Sequence, residues 1–253
     1  MSGFAPPPPP PPPNMSPPPG YVAYGGFDGP TGPTKGIGGL TRALVILQAI
    51  GLAFIALVLI LQLALVGKAD DLIAGQIDSG EFDDAIVPFL TVTVLFAAVG
   101  IAALVISILW SYRIAGNLTN LNRQITWKSG LTIVVWILGG CTLSIINFLM
   151  LREHWRASEP GDARSNWRSV PVSPLITGWF AVMIAQIVLA FASGIQSFGG
   201  FSFGTTTNDV AVSLTDRLPL VLAAGLAQLA AGVLLIMIIR QLSARHMAAT
   251  GEA

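Results

Sequence analysis

The chain has very few charged side chains. Asp, Glu, Lys and Arg make up 10% of its 253 residues, whereas 53% are hydrophobic and the formal net charge is zero. A soluble globular domain carries about 25% charged residues. This chain therefore has too little charge to cover a water-facing surface, and lipid must solvate much of it. Without net positive charge there is no global attraction to nucleic acid, and we expect no nucleic-acid partner.

Groups that support metal or thiol chemistry are equally scarce. Cys141 is the single cysteine, which excludes an intrachain disulfide, and His154 and His246 are the only histidines. The acidic stretch from Asp78 to Asp84 lacks the spacing of an EF-hand. The sequence contains no serine–base pair and no phosphate-binding glycine loop. We therefore predict no enzymatic activity, no cofactor and no metal site.

Residues 1–39 form a tail rich in proline and glycine, with eight consecutive prolines from Pro6 to Pro13. Proline fixes φ and donates no backbone hydrogen bond, so this tail favours polyproline II and cannot build a core. We predict a disordered cytoplasmic tail. It is either an arm that recruits a protein with an aromatic-lined groove or a solvated spacer without a partner. A short C-terminal tail is predicted over residues 247–253.

Four segments are long and apolar enough to cross a bilayer, which requires about 20 residues in a helix. They are residues 40–66, 86–110, 175–198 and 219–239, and the only charged residue in them is Arg42 at the start of the first. We predict an all-α membrane helix bundle over residues 40–246. An acidic loop is expected between the first two spans and a Gly/Ser/Thr/Phe loop over 197–218. Gly225 and Gly232 in the last span favour close helix packing, within the chain or in a homo-oligomer.

A fifth apolar segment, Leu131–Leu151, has basic residues on both sides, although positive charge normally collects on the cytoplasmic side of a span. With a cytoplasmic N-terminus and a re-entrant segment, only Lys68 and Arg217 of the thirteen basic residues lie outside. The eleven on the cytoplasmic side are Lys35, Arg42, Arg113, Arg123, Lys128, Arg152, Arg156, Arg164, Arg168, Arg240 and Arg245. If the segment crosses, the bias disappears. We therefore favour four spans and a re-entrant segment over a fifth span.

Gly139 and Gly140 supply a physical reason for a break in this segment, because each glycine costs about 1 kcal/mol relative to alanine in a helix. The two halves would reach the middle of the bilayer and return, with Cys141 at the apex. Backbone exposed at such an apex must be buried in protein or face water. The alternative is an ordinary tilted span.

Tryptophan and arginine concentrate in the middle of the chain. All six tryptophans fall between Trp110 and Trp179, and aromatic rings of this kind favour headgroup depth. Apolar residues at helical spacing from Ile114 to Ile125 predict a helix lying in the inner interface, with its apolar stripe facing lipid or the bundle. A second short amphipathic piece is expected to end at Ala157 and Ser158. Either plain anchoring or binding of anionic lipid headgroups explains this composition.

Part of this region resembles a known family. The residues that carry the resemblance are Trp110, Tyr112, Arg113, Asn117, Trp136, Arg152, Glu153, Trp155 and Arg156, followed by Ala157 and Ser158. Together they resemble a bacterial, actinobacterial-type membrane-protein family catalogued as domain of unknown function 4328, whose members often carry proline-rich N-terminal tails. The family usually has a proline in the broken segment, near the position of Gly140. The resemblance implies no catalytic residue and no substrate.

The sequence favours one function and leaves a second as the alternative. The first is a non-enzymatic scaffold or adaptor in the bacterial cytoplasmic membrane, with the proline-rich tail as its recruiting arm. The second is a transporter or channel-like protein in which the broken segment lines a cavity together with Gln186 and Gln228, because broken helices mark binding sites in transporters. Interhelical hydrogen bonds are the simpler expectation for these two glutamines.

Overall fold

A computed structural model of the chain describes residues 32–160, 166–198 and 206–252, with the side chains of 195–198 excepted. This part of the chain is all-helical, without a strand. Its α-helices are α1 (Gly38–Ile73), α2 (Ser79–Asn120), α3 (Ser129–Leu138), α4 (Ile145–Ala157), α5 (Pro174–Phe198) and α6 (Thr207–Thr250), and a 3-10 helix covers Trp167–Ser169. The proline block and the rest of residues 1–31 lie outside the described residues.

Four helices are long and apolar enough to cross a membrane, which confirms a multi-pass membrane protein. Each contains one predicted span, but three are longer than predicted. The acidic loop is wrong for most of its length, because α1 continues to Ile73 and α2 begins at Ser79. Asp78 starts α2 by accepting a hydrogen bond from the Glu81 amide at 2.9 Å. The predicted loop over 197–218 is also too long, since α6 begins at Thr207.

The predicted interfacial helix over residues 114–125 is wrong. These residues continue α2 to Asn120, and the chain turns only after it. Ile114 and Leu118 are fully buried, so their apolar stripe packs against the bundle and not against lipid. The second amphipathic piece is observed as α4, which ends at Ala157 as predicted.

The long helices form an arc in which α1 packs between α2 and α6, and α5 packs on the other side of α6. A Cβ added to Gly225 or Gly232 of α6 would clash with Leu59 or Leu52 of α1, so these glycines allow close approach within the chain. Within the described residues α2 and α5 do not contact each other. The shorter helices lie in the gap, with α3 against α2 and α4 against α5.

The segment Leu131–Leu151 is broken, as predicted. Helices α3 and α4 have 10 and 13 residues, about 15 and 20 Å, which is shorter than a bilayer core of roughly 30 Å. The Glu153 carboxylate near the end of α4 accepts hydrogen bonds from the amides of Thr126 and Trp127, just before α3, at 2.8 and 3.0 Å. The segment therefore enters and leaves the bundle at one end, as a hairpin.

We call this end the motif end. It comprises residues 32–41, 110–128, 153–160, 166–174 and 239–252. The opposite end, with Asp70, Asp78 and Glu81, is the acidic end. Residues 247–252 do not form the predicted separate tail, because α6 extends to Thr250 and its Gly251 adopts φ +70°, which turns Glu252 back toward the start of α1.

Candidate functional site

Trp110 links three helices at the motif end. Its side chain is completely buried, and its indole N–H donates to the Ser243 hydroxyl on α6 at 3.0 Å. The Thr41 hydroxyl on α1 donates to the same oxygen at 2.8 Å. Burying three polar groups costs little when each has a partner, so this junction orients α1, α2 and α6 relative to one another.

Asn117 is the centre of a second buried network. Its Oδ1 accepts from the Lys35 amide at 2.7 Å, and its Nδ2 donates to the Lys35 carbonyl at 2.8 Å. The same Nδ2 lies 3.1 Å from Nε2 of His246, and Nδ1 of His246 lies 3.0 Å from the Ser158 hydroxyl. Because the amide nitrogen can only donate, Nε2 accepts and the ring proton sits on Nδ1, directed at Ser158. The network joins the chain preceding α1 to α2, α4 and α6.

The segment that leads into α1 is held along its length. Arg113 donates to the Gly36 carbonyl at 2.7 Å, and the Asn120 side chain donates to the Pro33 carbonyl at 3.0 Å. The Glu252 carboxylate accepts from the amide of Ile37 at 2.9 and 3.0 Å and from that of Gly38 at 2.9 Å. A carboxylate is favoured there, since the first amides of a helix lack intrahelical partners. Residues 33–38 are therefore fixed to the folded domain.

Other motif residues secure the hairpin. Trp136 of α3 donates from its indole to the Ser111 hydroxyl of α2 at 2.8 Å, and Glu153 binds the two amides before α3. Arg156 donates to the Val170 carbonyl at 2.9 Å. Beside it, the Trp155 indole donates to the Pro171 carbonyl at 3.2 Å. These bonds hold α4 against the approach to α5.

Arg245 of α6 completes the attachment of α4. Its guanidinium lies 4.8 Å from the centre of the Trp155 ring, donates to the Trp155 carbonyl at 3.1 Å and pairs with Glu159. Two other residues that carry the family resemblance, Tyr112 and Arg152, differ from these in burial or bonding. Tyr112 is 40% exposed. Arg152 is half-buried and makes no hydrogen bond or ion pair within the described residues.

A belt of tryptophans in the membrane interface requires their rings to lie at the protein surface, but not all of them lie there. Trp110, Trp167 and Trp179 are buried, whereas Trp127, Trp136 and Trp155 are half-buried. Where an indole N–H has a partner in this region, it is a protein group. The described motif residues thus act mainly to connect helix ends, which is a structural role.

His154 of α4 is buried with neither ring nitrogen hydrogen-bonded inside the described part of the chain. Burial lowers its pKa to about 4, and the backbone of Trp127 has a smaller effect that raises the pKa. The ring is therefore neutral at pH 7. No group of three or more His, Cys, Asp or Glu residues suited to a metal ion occurs in the ranges that the structure describes.

The glycines predicted as a hinge, Gly139 and Gly140, lie in a turn of the chain. The chain turns over residues 139–144, while Gly139 keeps helical φ and ψ of −54° and −41°. The left-handed residues are Leu143 and Ser144, with φ of 51° and 60°. Gly139 is required for a different reason, because a Cβ there would clash with the Asn147 side chain, whereas a Cβ on Gly140 would meet nothing. Cys141 lies exposed in the turn, as predicted.

A cavity of about 360 Å³ lies at the hairpin apex. Its polar lining includes Gln48 of α1, Gln186 of α5, Gln228 of α6 and Asn147 of α4, and no Asp, Glu, Lys, Arg or His from the described part of the chain lines it. The predicted interhelical bonds of Gln186 and Gln228 are wrong for the described chain, since neither makes a hydrogen bond within it. Both glutamines instead face the cavity.

A second cavity of about 190 Å³ extends from the first toward the acidic end. It shares Ile55, Phe96, Gln186 and Gln228 with the apex cavity and continues past Gly225. The two glutamines therefore lie where the two cavities adjoin.

Several site residues are not apparent from the sequence. His246 and Ser243 lie in the last helix, more than 120 positions after their partners on α2, and Asn147 is one polar residue in an apolar run. Glu252, the penultimate residue of the sequence, gives no local signal of its contact with α1. The resemblance marked Asn117 and Trp110 but not the residues they meet.

Comparison with known proteins assigns the chain to one family. No curated protein and no solved structure matches the chain. One family model matches residues 75–244, from the linker before α2 almost to the end of α6, and is described as Domain of unknown function (DUF4328). The match covers two thirds of the chain and includes α2 through the hairpin, every motif residue and both cavity glutamines. The chain is a member of the DUF4328 family of domains of unknown function.

Proposed function

We propose that this protein is a non-enzymatic transporter or channel-like membrane protein that binds an uncharged solute in the cavity at the hairpin apex. The observation that carries the proposal is the position of that cavity, at the turn of a broken membrane segment and beside Gln186 and Gln228. Irregular backbone at membrane depth is tolerated where it lines a cavity, and substrate sites of transporters are built from broken helices. The absence of ionisable groups from the lining favours a neutral solute.

The test is solute uptake by the full chain reconstituted in liposomes, with glycerol and urea as first probes. We expect Gln186→Leu and Gln228→Leu to change the uptake rate. Gln62→Leu is the matched control, because Gln62 is buried on α1 but does not line either cavity. Absence of both flux and binding for any neutral solute would remove this function, as would an equal effect of all three substitutions.

A second candidate function is an adaptor whose proline-rich arm recruits a protein. It is favoured by the fixed segment 33–38, which would hold the base of the arm against Asn117, Arg113 and Glu252. Replacing Pro6–Pro13 with a Gly/Ser stretch of equal length should release any partner recovered with the full chain. Unchanged recovery would contradict the adaptor function.

We also propose that the protein resides in the bacterial cytoplasmic membrane with the motif end in the cytoplasm. Ten of the eleven basic residues expected there belong to described segments that end at the motif end, and Arg164 lies outside the described residues. On a Cys141→Ser background, Asn166→Cys at the motif end and Gln76→Cys at the acidic end are exposed probes. A membrane-impermeant maleimide should label Gln76→Cys in intact cells and Asn166→Cys only after permeabilisation. The opposite result would invert the topology.

A further inference from the structure

Two side chains that line the apex cavity each carry a buried polar atom that has no hydrogen-bond partner among the described residues. The atoms are Oδ1 of Asn147 on α4 and Nε1 of Trp179 on α5. Both side chains are at least nine-tenths buried, with exposures of 4%. A buried polar group without a partner costs about 1–3 kcal/mol, and such groups need an explanation when they occur together at a cavity.

The two atoms have complementary chemistry. The amide oxygen of Asn147 is an acceptor, and the indole N–H of Trp179 is a donor. A hydroxyl or primary amide complements both atoms, because it donates and accepts through the same small group. A carboxylate offers no donor, and its charge would face a lining without a cation.

The remainder of the lining is mostly apolar, with Leu52, Ile55, Phe96 and Leu104 among its side chains. The gap between α2 and α5, which do not contact each other in the described chain, is filled by the hairpin only on the motif side of the cavity. A ligand with a hydrocarbon body can therefore enter from the bilayer through the part of this gap that the hairpin leaves open. The cavity volume lies within the range of small-molecule sites.

From these contacts we propose that the apex cavity binds a neutral amphipathic molecule, a medium-chain alcohol or primary amide, whose head group accepts from Trp179 and donates to Asn147. This inference rests on the proposed function and specifies the class of ligand. It also assigns different roles to the polar residues of the cavity. Asn147 and Trp179 select the head group, whereas Gln186 and Gln228 lie where the apex cavity adjoins the second cavity.

The test uses the full chain in lipid nanodiscs and three photoreactive diazirine probes of equal chain length, which carry a primary alcohol, a carboxylate or no head group. The measured quantity is labelling of cavity residues that excess unlabelled medium-chain alcohol displaces. We expect the alcohol probe to label most strongly. Trp179→Phe and Asn147→Leu should each lower the ratio of alcohol to hydrocarbon labelling about fivefold, as expected for one hydrogen bond.

Trp136→Phe is the matched control for lost ring volume, since Trp136 also lines the cavity but its N–H donates to Ser111. It should lower labelling by both probes without changing their ratio, and Gln62→Leu should change neither. Equal labelling by the hydrocarbon and alcohol probes, or preference for the carboxylate, would overturn the ligand class while leaving a binding cavity. Absence of displaceable labelling by all three probes would overturn the site, and combined with absence of solute flux it would overturn the proposed function as well.

Discussion

The motif end and the hairpin apex differ in whether their buried polar groups have hydrogen-bond partners. At the motif end, Asn117, Trp110 and His246 lie in the core with their polar atoms hydrogen-bonded across three or four segments. At the apex, Oδ1 of Asn147 and Nε1 of Trp179 are buried without a hydrogen-bond partner in the described chain, and both side chains line the cavity. Satisfied networks rigidify a structure and unsatisfied groups cost stability, so the difference separates the part that holds the bundle together from the part suited to a ligand.

The family motif belongs mainly to the first part. Glu153, Trp155 and Arg156 fasten the two ends of the hairpin, and Arg113 and Asn117 fasten the base of the N-terminal segment. The apex is then held at mid-bundle by connections at its base.

The largest expected effect concerns His154, which departs from the motif-end pattern because its buried ring has no partner among the described residues. Its pKa is lowered from 6.5 to about 4, so the unfolded chain binds more protons between these values. The contribution of His154 to the free energy of unfolding is therefore fully present above pH 6.5. It falls by about 3 kcal/mol as the pH drops from 6.5 toward 4. Thermal unfolding in detergent between pH 4 and 7.5 measures it. His154→Leu should reduce this dependence, and an unchanged slope would contradict the assignment.

At the apex, the two adjacent glycines should respond differently. Gly139→Ala forces the Asn147 side chain to move, and overpacking of this kind costs about 2 kcal/mol. Gly140→Ala is the matched control, because its Cβ meets nothing. Melting temperatures of the two variants compare them directly, and Gly139→Ala combined with Asn147→Ser should recover part of the loss. Equal melting temperatures would show that the hairpin turn adapts without cost.

A smaller effect tests the link between Glu252 and the start of α1. Glu252→Gln removes the charge that faces the first amides of α1 and should lower the free energy of unfolding by about 1 kcal/mol. Glu81→Gln, in the first turn of α2, is the control, because its carboxylate binds no described amide. Denaturant titration of both variants is the measurement. A larger loss for Glu81→Gln would contradict the proposed cap.

The smallest expected effect separates structural arginines from solvated ones within the motif end. Arg113→Ala loses the bond to the Gly36 carbonyl, worth about 0.5 kcal/mol at an exposed position. Arg152→Ala loses no described bond and should leave stability unchanged. Both variants remove one positive charge, so binding to vesicles with anionic lipids should fall equally if headgroups are recognised by charge alone. Unequal vesicle binding would indicate a specific headgroup site at one arginine.

Local sequence properties predicted the bundle well because its main features depend on local composition. Four apolar runs became four long helices, and the glycine pair lies at the start of the observed break. The predicted helix boundaries were wrong where charged residues suggested a loop. Asp70 and Asp84 lie on helices, and Asp78 caps one. The residues 114–125 failed for another reason: an amphipathic stripe has the same spacing whether it faces lipid or protein.

By itself, the sequence determined that the protein is a multi-pass helical membrane protein, because low charge and span length depend on composition alone. It favoured a break in the fifth apolar segment but left an ordinary span open. The tertiary structure decided which polar residues meet. His246 reaches Asn117 and Ser158, Glu252 reaches the start of α1, and Asn147 and Trp179 face one cavity. These pairs are brought together by helix packing between segments distant in the chain, and no periodicity within a segment encodes its partner.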